Sequence, residues 1–283
     1  MTERIIDSTF ASSLLKARPT DGHKGTFGHA LIIAGQYGMA GASVLAARSC
    51  LRSGAGKVTV LCPQKNNDIL QIAVPEAILR HDVSPTHFSE PLDITPYDAA
   101  AIGPGLGTSA ETAQALRTQL RIIKESPKPC PLILDADALN ILSQNPSWAC
   151  DIPDNTIITP HKGEQKRLLD AGIDLGRFIL VDKGHPTRII LPIPADAPTR
   201  SLSNDIFTCP FGNDGIATAG SGDVLTGIIV GLLAQGYESK EAALLGVTLH
   251  ALAGDAAAAD LGHHSVIASD ITEHLPQAFS RIF

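Results

Sequence analysis

The chain has 283 residues, of which 44% are hydrophobic and 18% charged, and its formal net charge is −7. Length and composition are typical of an ordinary globular protein with a substantial core. The acidic balance leaves no basic surface for nucleic acid or for an anionic membrane, and the apolar runs, such as residues 228–234, are too short to span a bilayer.

The cysteines and the first residues favour a cytoplasmic protein. The five cysteines are scattered, odd in number and not spaced like metal ligands, so we expect reduced thiols. Residues 1–7 lack the basic and apolar regions of a signal peptide. No linker, repeat or low-complexity segment divides the chain, and we therefore predict one domain over residues 1–283.

Short β-branched runs alternate with helical patterns along the chain, which indicates βαβ units around a mostly parallel sheet and so the α/β class. The predicted strands are residues 29–35, 57–62, 99–102, 132–135, 156–159, 178–181 and 188–191. Because prolines follow it, we expect the last strand to lie in a hairpin or at an edge. Three helices are predicted from their apolar spacing, at residues 42–53, 223–235 and 239–261. A further helix begins with a capping box at 108–111 and ends near Lys124, and a short crossover helix is predicted at 165–174.

A glycine-rich loop leads directly into the helix predicted at residues 223–235. It reads Ala219-Gly220-Ser221-Gly222-Asp223, so a carboxylate stands at the junction between loop and helix. The first turn of a helix attracts phosphate through its unpaired N–H groups and its dipole, and glycine lets the backbone approach an anion closely. Phosphate repels a neighbouring carboxylate. This pattern therefore predicts chemistry at a phosphoryl group, in which Asp223 either takes a proton from a hydroxyl or acts beside a cation.

Further polar turns follow the carboxyl ends of the predicted strands, which is where open α/β sheets bind ligands. His161 and Glu164 either open a helix or contact substrate and hold a magnesium ion through water, and the spacing leaves both interpretations open. Asp135 and Asp137 are either turn residues or part of a magnesium and phosphate environment. The turn after residue 182 either closes a hairpin or supplies Lys183 and backbone N–H groups to a polyphosphate.

These motifs together resemble those of the ADP/ATP-dependent NAD(P)H-hydrate dehydratases, a branch of the ribokinase-like superfamily. The matching blocks occur in family order between about residues 22 and 272: 24–29 (Lys-Gly-Thr-Phe-Gly-His), 38–42, 52–56, 75–77 (Pro-Glu-Ala), 103–107 (Gly-Pro-Gly-Leu-Gly), 134–140, 159–164, 183–187 and 212–231. The resemblance implies a ribokinase-like three-layer α/β/α fold. The block at 24–29 and the Pro-Glu-Ala element distinguish this branch from sugar kinases, which share the Gly-x-Gly-Asp element.

The resemblance also implies a reaction. Members of the family use ADP or ATP to phosphorylate the ring hydroxyl of the hydrates NADHX and NADPHX, and then eliminate phosphate to restore NADH or NADPH. Asp223 is then the expected catalytic base, and Mg²⁺ the expected ion, with Glu164 as its ligand through water. The expected substrate contacts are Ala42, Gly105, Gly107, His161 and Asp223; the expected nucleotide contacts are Lys183, Gly184, His185, Pro186, Thr187, Gly220, Ser221 and Gly222.

Two alternative functions remain at this stage. One is a ribokinase-like kinase of a vitamin precursor or sugar, and the other is a nucleotide-binding regulator without turnover, which Asp223 disfavours. The resemblance further implies a homo-oligomer, namely a tetramer, that cooperates with a separate epimerase chain. The segment between Glu164 and Lys183 is shorter than the usual family crossover.

Overall fold

The computed structural model describes residues 3–192 and 205–283. In chain order, the first half contains β1 (Glu3–Ile5), α1 (Ser8–Leu14), β2 (His29–Ile33), α2 (Ala40–Arg52), β3 (Lys57–Cys62), α3 (Asn67–Ala73), β4 (Ile78–His81), β5 (Ala99–Ile102), α4 (Ala110–Glu125), β6 (Leu132–Leu134) and α5 (Asp137–Gln144). The second half contains β7 (Ile157–Ile158), α6 (Lys162–Asp170), β8 (Ile179–Asp182), β9 (Thr187–Ile190), β10 (Ile206–Cys209), α7 (Ser221–Ala234), α8 (Ser239–Leu261), α9 (Ala268–Glu273) and α10 (Leu275–Ile282).

The ten strands form one sheet in the order β1-β10-β9-β8-β7-β6-β5-β2-β3-β4. Every neighbouring pair is parallel except the two that involve β9, which runs antiparallel to β8 and β10. Strand β9 therefore forms the predicted hairpin with β8. It is not at the edge, because β10 and β1 lie beyond it.

Helices cover both faces of the sheet because neighbouring residues of each strand point to opposite sides. In β2, Ala30 and Ile32 face the core shared with α2, α7 and α8, whereas Leu31 and Ile33 face the core shared with α4 and α5. The fold is thus three-layered and mostly parallel, as predicted from the sequence.

Helix α8 has an 18-residue window apolar enough to cross a membrane, with a hydropathy of 1.4, but 83% of that window is buried inside the protein. It packs against α7 and α10, and it contacts β8, β9 and β10 on the sheet. Its apolar character is therefore explained by its place in the core.

Helices α2 and α7 begin at Ala40 and Ser221, slightly before the predicted residues 42 and 223, and the starts of α4 and α6 differ in their caps. Ser109, not Thr108, caps α4, because its side chain accepts a hydrogen bond from the N–H of Thr112, while Glu111 reaches away to His87. Helix α6 spans Lys162–Asp170 rather than residues 165–174, since the side chain of His161 caps it three residues earlier. The short crossover therefore still contains a full helix.

Candidate functional site

The strands β2, β5, β6, β7 and β8 are parallel, so their carboxyl ends meet at one edge of the sheet. The N-terminus of α7 reaches the same edge. A Cβ atom built on Gly222 would lie 3.1 Å from Nζ of Lys183 and 3.6 Å from Oδ2 of Asp135. The glycine loop, the turn after β6 and the turn after β8 are thus in contact, although they are far apart in sequence.

The backbone at Gly220 turns the chain into α7. Its φ of +87° lies in the left-handed region, and a Cβ there would come within 2.5 Å of Leu45 Cδ1. Glycine meets both requirements. The first turn of α7 then presents its N–H groups and the positive end of the helix dipole at the sheet edge, a suitable site for phosphate.

A cavity of about 600 Å³ opens beside this helix start, a volume in the range of small-molecule sites. Its polar lining includes His161, Lys183, His185, Asn213 and His250, and its apolar lining includes Phe211, Ile216, Leu225, Val247 and Ala251. An apolar surface suits a planar base, and the helix start with Lys183 suits phosphates. The cavity can therefore accept an adenine nucleotide.

Most of the residues predicted to hold the nucleotide line this cavity. Lys183, Gly184, His185, Thr187, Ser221 and Gly222 do so, whereas Pro186 and Gly220 are not among the lining residues. The turn of the β8–β9 hairpin is held by the hydroxyl of Thr187, which donates to the Gly184 carbonyl at 2.7 Å. Both interpretations of this turn are thus compatible, because it closes a hairpin and also faces the cavity.

Asp223 stands on the first turn of α7, where its surroundings oppose ionisation. Burial raises the pKa of Asp223 to about 6, and the charges of Asp135 and Asp137 act in the same direction, while Lys183 lowers it. A carboxyl group with a pKa near neutrality is suited to accept a proton from a substrate hydroxyl.

Asp135 connects three elements at this point. Its Oδ1 accepts a hydrogen bond from Nζ of Lys183 at 2.8 Å, and its Oδ2 accepts one from the hydroxyl of Thr226 at 2.8 Å. The carboxylate is almost fully buried, at 2% exposed. It therefore fixes the Lys183 ammonium above the start of α7.

The residues expected on the hydrate side also pack together. A Cβ on Gly105, whose φ is +56°, would lie 3.0 Å from the Cβ atoms of both Ala42 and Met39. The N–H of Gly107 donates to Oδ2 of Asp137 at 2.8 Å. Ala42, on the first turn of α2, thus packs against Gly105 in the loop after β5, and Gly107 lies in that same loop.

His161 and Glu164 form a capping box at the start of α6. Nδ1 of His161 accepts a hydrogen bond from the N–H of Gly163 at 3.0 Å, and Oε2 of Glu164 accepts one from the N–H of His161 at 2.9 Å. The His161 side chain is 58% exposed and is available to a ligand, whereas that of Glu164 is 6% exposed. The structural role is therefore observed, and the contact of Glu164 with magnesium stays a prediction.

Magnesium bound with a nucleotide needs few protein ligands, because it keeps several waters and takes oxygens from the phosphates. Among the residues that the structure describes, no three side chains form a cluster able to hold a metal by themselves. Asp135 and Asp137 bond to Lys183, Thr226, Asn140 and Gly107, and their contact with magnesium stays a prediction.

Two groups that line or brace the cavity went unassigned in the sequence. His250 of α8 is buried, its pKa is lowered to about 4 mainly by burial, and its Nε2 lies 3.0 Å from the Ser221 carbonyl, to which it donates. Asn213 donates to Asp255 at 2.8 Å, and Asp255 accepts from the N–H of Gly212 at 3.1 Å. The sequence offers one signal for His250, because this histidine stands in a helix otherwise rich in alanine and leucine.

Comparisons with known proteins identify the family. The family model described as NAD(P)H-hydrate dehydratase matches residues 30–277. The ADP-dependent (S)-NAD(P)H-hydrate dehydratase of Neisseria meningitidis is 38% identical over 86% of this chain and 81% of its own length. The bifunctional NAD(P)H-hydrate repair enzyme of Coxiella burnetii is 37% identical over 96% of this chain. This chain spans about half the length of such bifunctional relatives, 54% in that case.

Two solved structures are also similar. The ADP/ATP-dependent NAD(P)H-hydrate dehydratase of Bacillus subtilis, co-crystallised with ATP and Mg²⁺, has a TM-score of 0.76 at 26% identity and covers 99% of each chain. A ribokinase-like superfamily protein of Enterococcus faecalis has a TM-score of 0.79 at 27% identity, covering 99% of this chain and 96% of the other. The predicted ribokinase-like fold is confirmed, and the chain belongs to the NAD(P)H-hydrate dehydratase family.

Proposed function

We propose that this chain catalyses the nucleotide-dependent dehydration of the hydrates NADHX and NADPHX, with ADP as the phosphoryl donor and ATP as the alternative donor. The observation that carries the proposal is the position of Asp223. Asp223 directly follows Gly222, which lines the nucleotide cavity and whose Cβ position lies 3.1 Å from Nζ of Lys183. Burial and the charges of Asp135 and Asp137 raise the pKa of Asp223 to about 6. Asp223 therefore stands where a phosphoryl donor and a hydroxylated acceptor can meet.

The proposed reaction begins with proton transfer to Asp223. The ring hydroxyl of the hydrate loses its proton to the carboxylate, and its oxygen forms a bond to the terminal phosphorus of ADP while the bond to AMP breaks. The carbon–oxygen bond of the ring then breaks, and phosphate departs as the ring nitrogen donates its electron pair. Loss of a proton from the neighbouring ring carbon restores NADH. The sum is NADHX and ADP to NADH, AMP and phosphate.

The same residues stabilise the charge that moves. The backbone of residues 220–223 and the Lys183 ammonium face the phosphoryl group during its transfer, and preorganised donors of this kind lower the barrier. His250 supports the loop, because it is neutral and donates to the Ser221 carbonyl. Mg²⁺ bound with the nucleotide would neutralise phosphate charge, with Glu164 contacting it through water.

The remaining assignments are part of this proposal. Ala42, Gly105, Gly107 and His161 contact the hydrate, and the β8–β9 turn with residues 220–222 holds the nucleotide. Residues 1–283 form one domain, the protein is a cytoplasmic homotetramer, and a separate epimerase interconverts the hydrate epimers.

The test is to incubate the protein with NADHX, Mg²⁺ and either ADP or ATP, and to follow the absorbance at which NADH returns. Recovery of NADH with release of AMP or ADP supports the proposal. No recovery with either nucleotide contradicts it. Phosphorylation of a vitamin precursor or sugar would instead identify a kinase, and nucleotide binding without any turnover would identify a regulator.

A further inference from the structure

Arg167 lies on the second turn of α6 and is exposed. Side chains of a helix lean towards its N-terminus, and that of Arg167 does so here. Its Nη1 is 3.5 Å from the position of a Cβ built on Gly163, and its Nη2 donates to Oδ1 of Asn140 at 2.8 Å. The guanidinium therefore lies beside the start of α6, where His161 is exposed.

A chain of hydrogen bonds connects this guanidinium to the hydrate side of the site. Asn140 donates through Nδ2 to Oδ1 of Asp137 at 3.1 Å, and Oδ2 of Asp137 accepts from the N–H of Gly107 at 2.8 Å. Because its amide nitrogen is engaged with Asp137, Asn140 turns its oxygen towards Arg167. The position of Arg167 is thus coupled to the loop of Gly107.

The partner of Arg167 is a neutral amide. Within residues 3–192 and 205–283, no carboxylate lies within ion-pair distance of it, whereas Arg117, Arg177 and Arg188 each have one. A guanidinium has five N–H donors, and one hydrogen bond to Asn140 leaves the others for a ligand. An exposed guanidinium that is oriented by an amide and has no carboxylate partner is suited to bind an anion.

We propose that Arg167 binds the diphosphate that joins the two halves of the NAD(P)H hydrate. This inference rests on the proposed function. When the ring hydroxyl is at Asp223 and the nicotinamide riboside is near Gly107 and His161, the diphosphate extends across the start of α6. The phosphates of ADP are expected against Gly222 and Lys183, and Arg167 is not among the described residues that line that cavity. Arginine suits this task because its planar fork matches two phosphate oxygens at once.

The test compares the wild type with Arg167→Gln, Arg167→Lys and a matched control, Lys166→Gln. Lys166 is the preceding residue of the same helix and pairs with Asp170 at 2.6 Å. We expect Arg167→Gln to raise the KM for NADHX roughly 10- to 100-fold, the range for a lost hydrogen bond between charged groups. The kcat and the KM for ADP stay unchanged, Arg167→Lys is intermediate, and the control behaves as wild type.

A truncated substrate separates diphosphate binding from a structural effect. The hydrate of reduced nicotinamide riboside has no phosphate, so the wild type and Arg167→Gln should process it with the same kcat/KM. An equal loss with the truncated and the full hydrate overturns the inference, as does a rise in the KM for ADP in place of that for NADHX.

Direct binding keeps this inference distinct from the proposed reaction. NADH carries the same diphosphate, and its affinity can be measured by fluorescence without turnover. If the wild type does not restore NADH from NADHX, the proposed function fails. The role of Arg167 in diphosphate binding is still supported if Arg167→Gln binds NADH more weakly while Lys166→Gln binds it as the wild type does. Equal NADH affinity in wild type and Arg167→Gln, or no NADH binding by the wild type, overturns it.

Discussion

Burial and the neighbouring carboxylates disfavour the ionised form of Asp223, so its carboxylate is a stronger base than an exposed one. Asn has the same shape but cannot accept the proton, so we expect Asp223→Asn to lower turnover of NADHX by roughly 10²- to 10⁴-fold, the usual contribution of a general base. ADP affinity should be kept or increased, because one negative charge near the phosphates is lost. Stopped-flow turnover and calorimetric ADP binding measure the two effects. Turnover within a factor of ten of wild type would exclude Asp223 as the base.

The pH dependence of the reaction reports the same group. The base must be deprotonated, and the pKa of Asp223 is about 6, so kcat/KM should rise with pH through this value and level off above it. Asp135→Asn removes a neighbouring negative charge that raises this pKa, so the rise should move to lower pH. Asp137→Asn should move it less, because Asp137 has the smaller influence. A profile that is unchanged in Asp135→Asn contradicts this account of the pKa.

At the scale of elements, α7 holds the phosphate cradle in place through its close contact with α2. A Cβ on Gly227 would lie 2.0 Å from Oγ of Ser49 and 2.2 Å from the carbonyl oxygen of Ala46, and a Cβ on Gly231 would lie 2.4 Å from Oγ of Ser53. Small residues thus let α2 and α7 approach each other closely, and this contact holds α7, which carries Asp223, in its position on the sheet.

We expect Gly227→Ala to lower the free energy of unfolding by about 1–3 kcal/mol, as overpacking in a core does. Gly41→Ala is the matched control, since Gly41 lies in α2 and nothing stands within 4 Å of its Cβ position. Its stability should be unchanged or slightly higher, because alanine favours the helix. Urea unfolding of both variants measures the difference. Equal stabilities would show that α2 and α7 move apart to accommodate the methyl group at no cost in free energy.

At the scale of the whole molecule, the core accounts for the chemistry of the thiols. All five cysteines are free, and four are buried while Cys150 is exposed. Burial raises the pKa of Cys62 to about 11, that of Cys130 to about 12 and that of Cys209 to about 11, and it also raises the pKa of Cys50. The thiolate is the reactive form, so these thiols are protected both sterically and electrostatically.

A thiol-specific reagent at pH 8 should therefore modify one cysteine rapidly in the native protein and all five after denaturation. Cys150→Ser should abolish the rapid phase while leaving four thiols in denaturant. Any fast-reacting thiol in the native Cys150→Ser variant would mean that the core opens more readily than its packing indicates.

The sequence predicted the elements of the inner sheet well because their apolar runs are buried on both faces. The strands at Lys57–Cys62 and Ala99–Ile102 and the long helix Ser239–Leu261 were predicted with the observed bounds. Strands β1, β4 and β10 were missed; in the case of β1, Glu3–Ile5 is exposed and has no apolar pattern. Its pairing with β10, some 200 residues away, is a long-range contact that no local pattern contains.

The sequence by itself determined the family, the mostly parallel sheet and the glycine loop before Asp223, because short motifs and hydrophobic periodicity are local properties. Only the tertiary structure decided which groups act together. Asp135 bonds to Lys183, which is 48 positions away in the sequence, and to Thr226, which is 91 positions away. Arg167 bonds to Asn140, which is 27 positions away. The pKa of Asp223 and the orientation of Arg167 depend on these contacts, since charge and hydrogen bonding act through space and not along the chain.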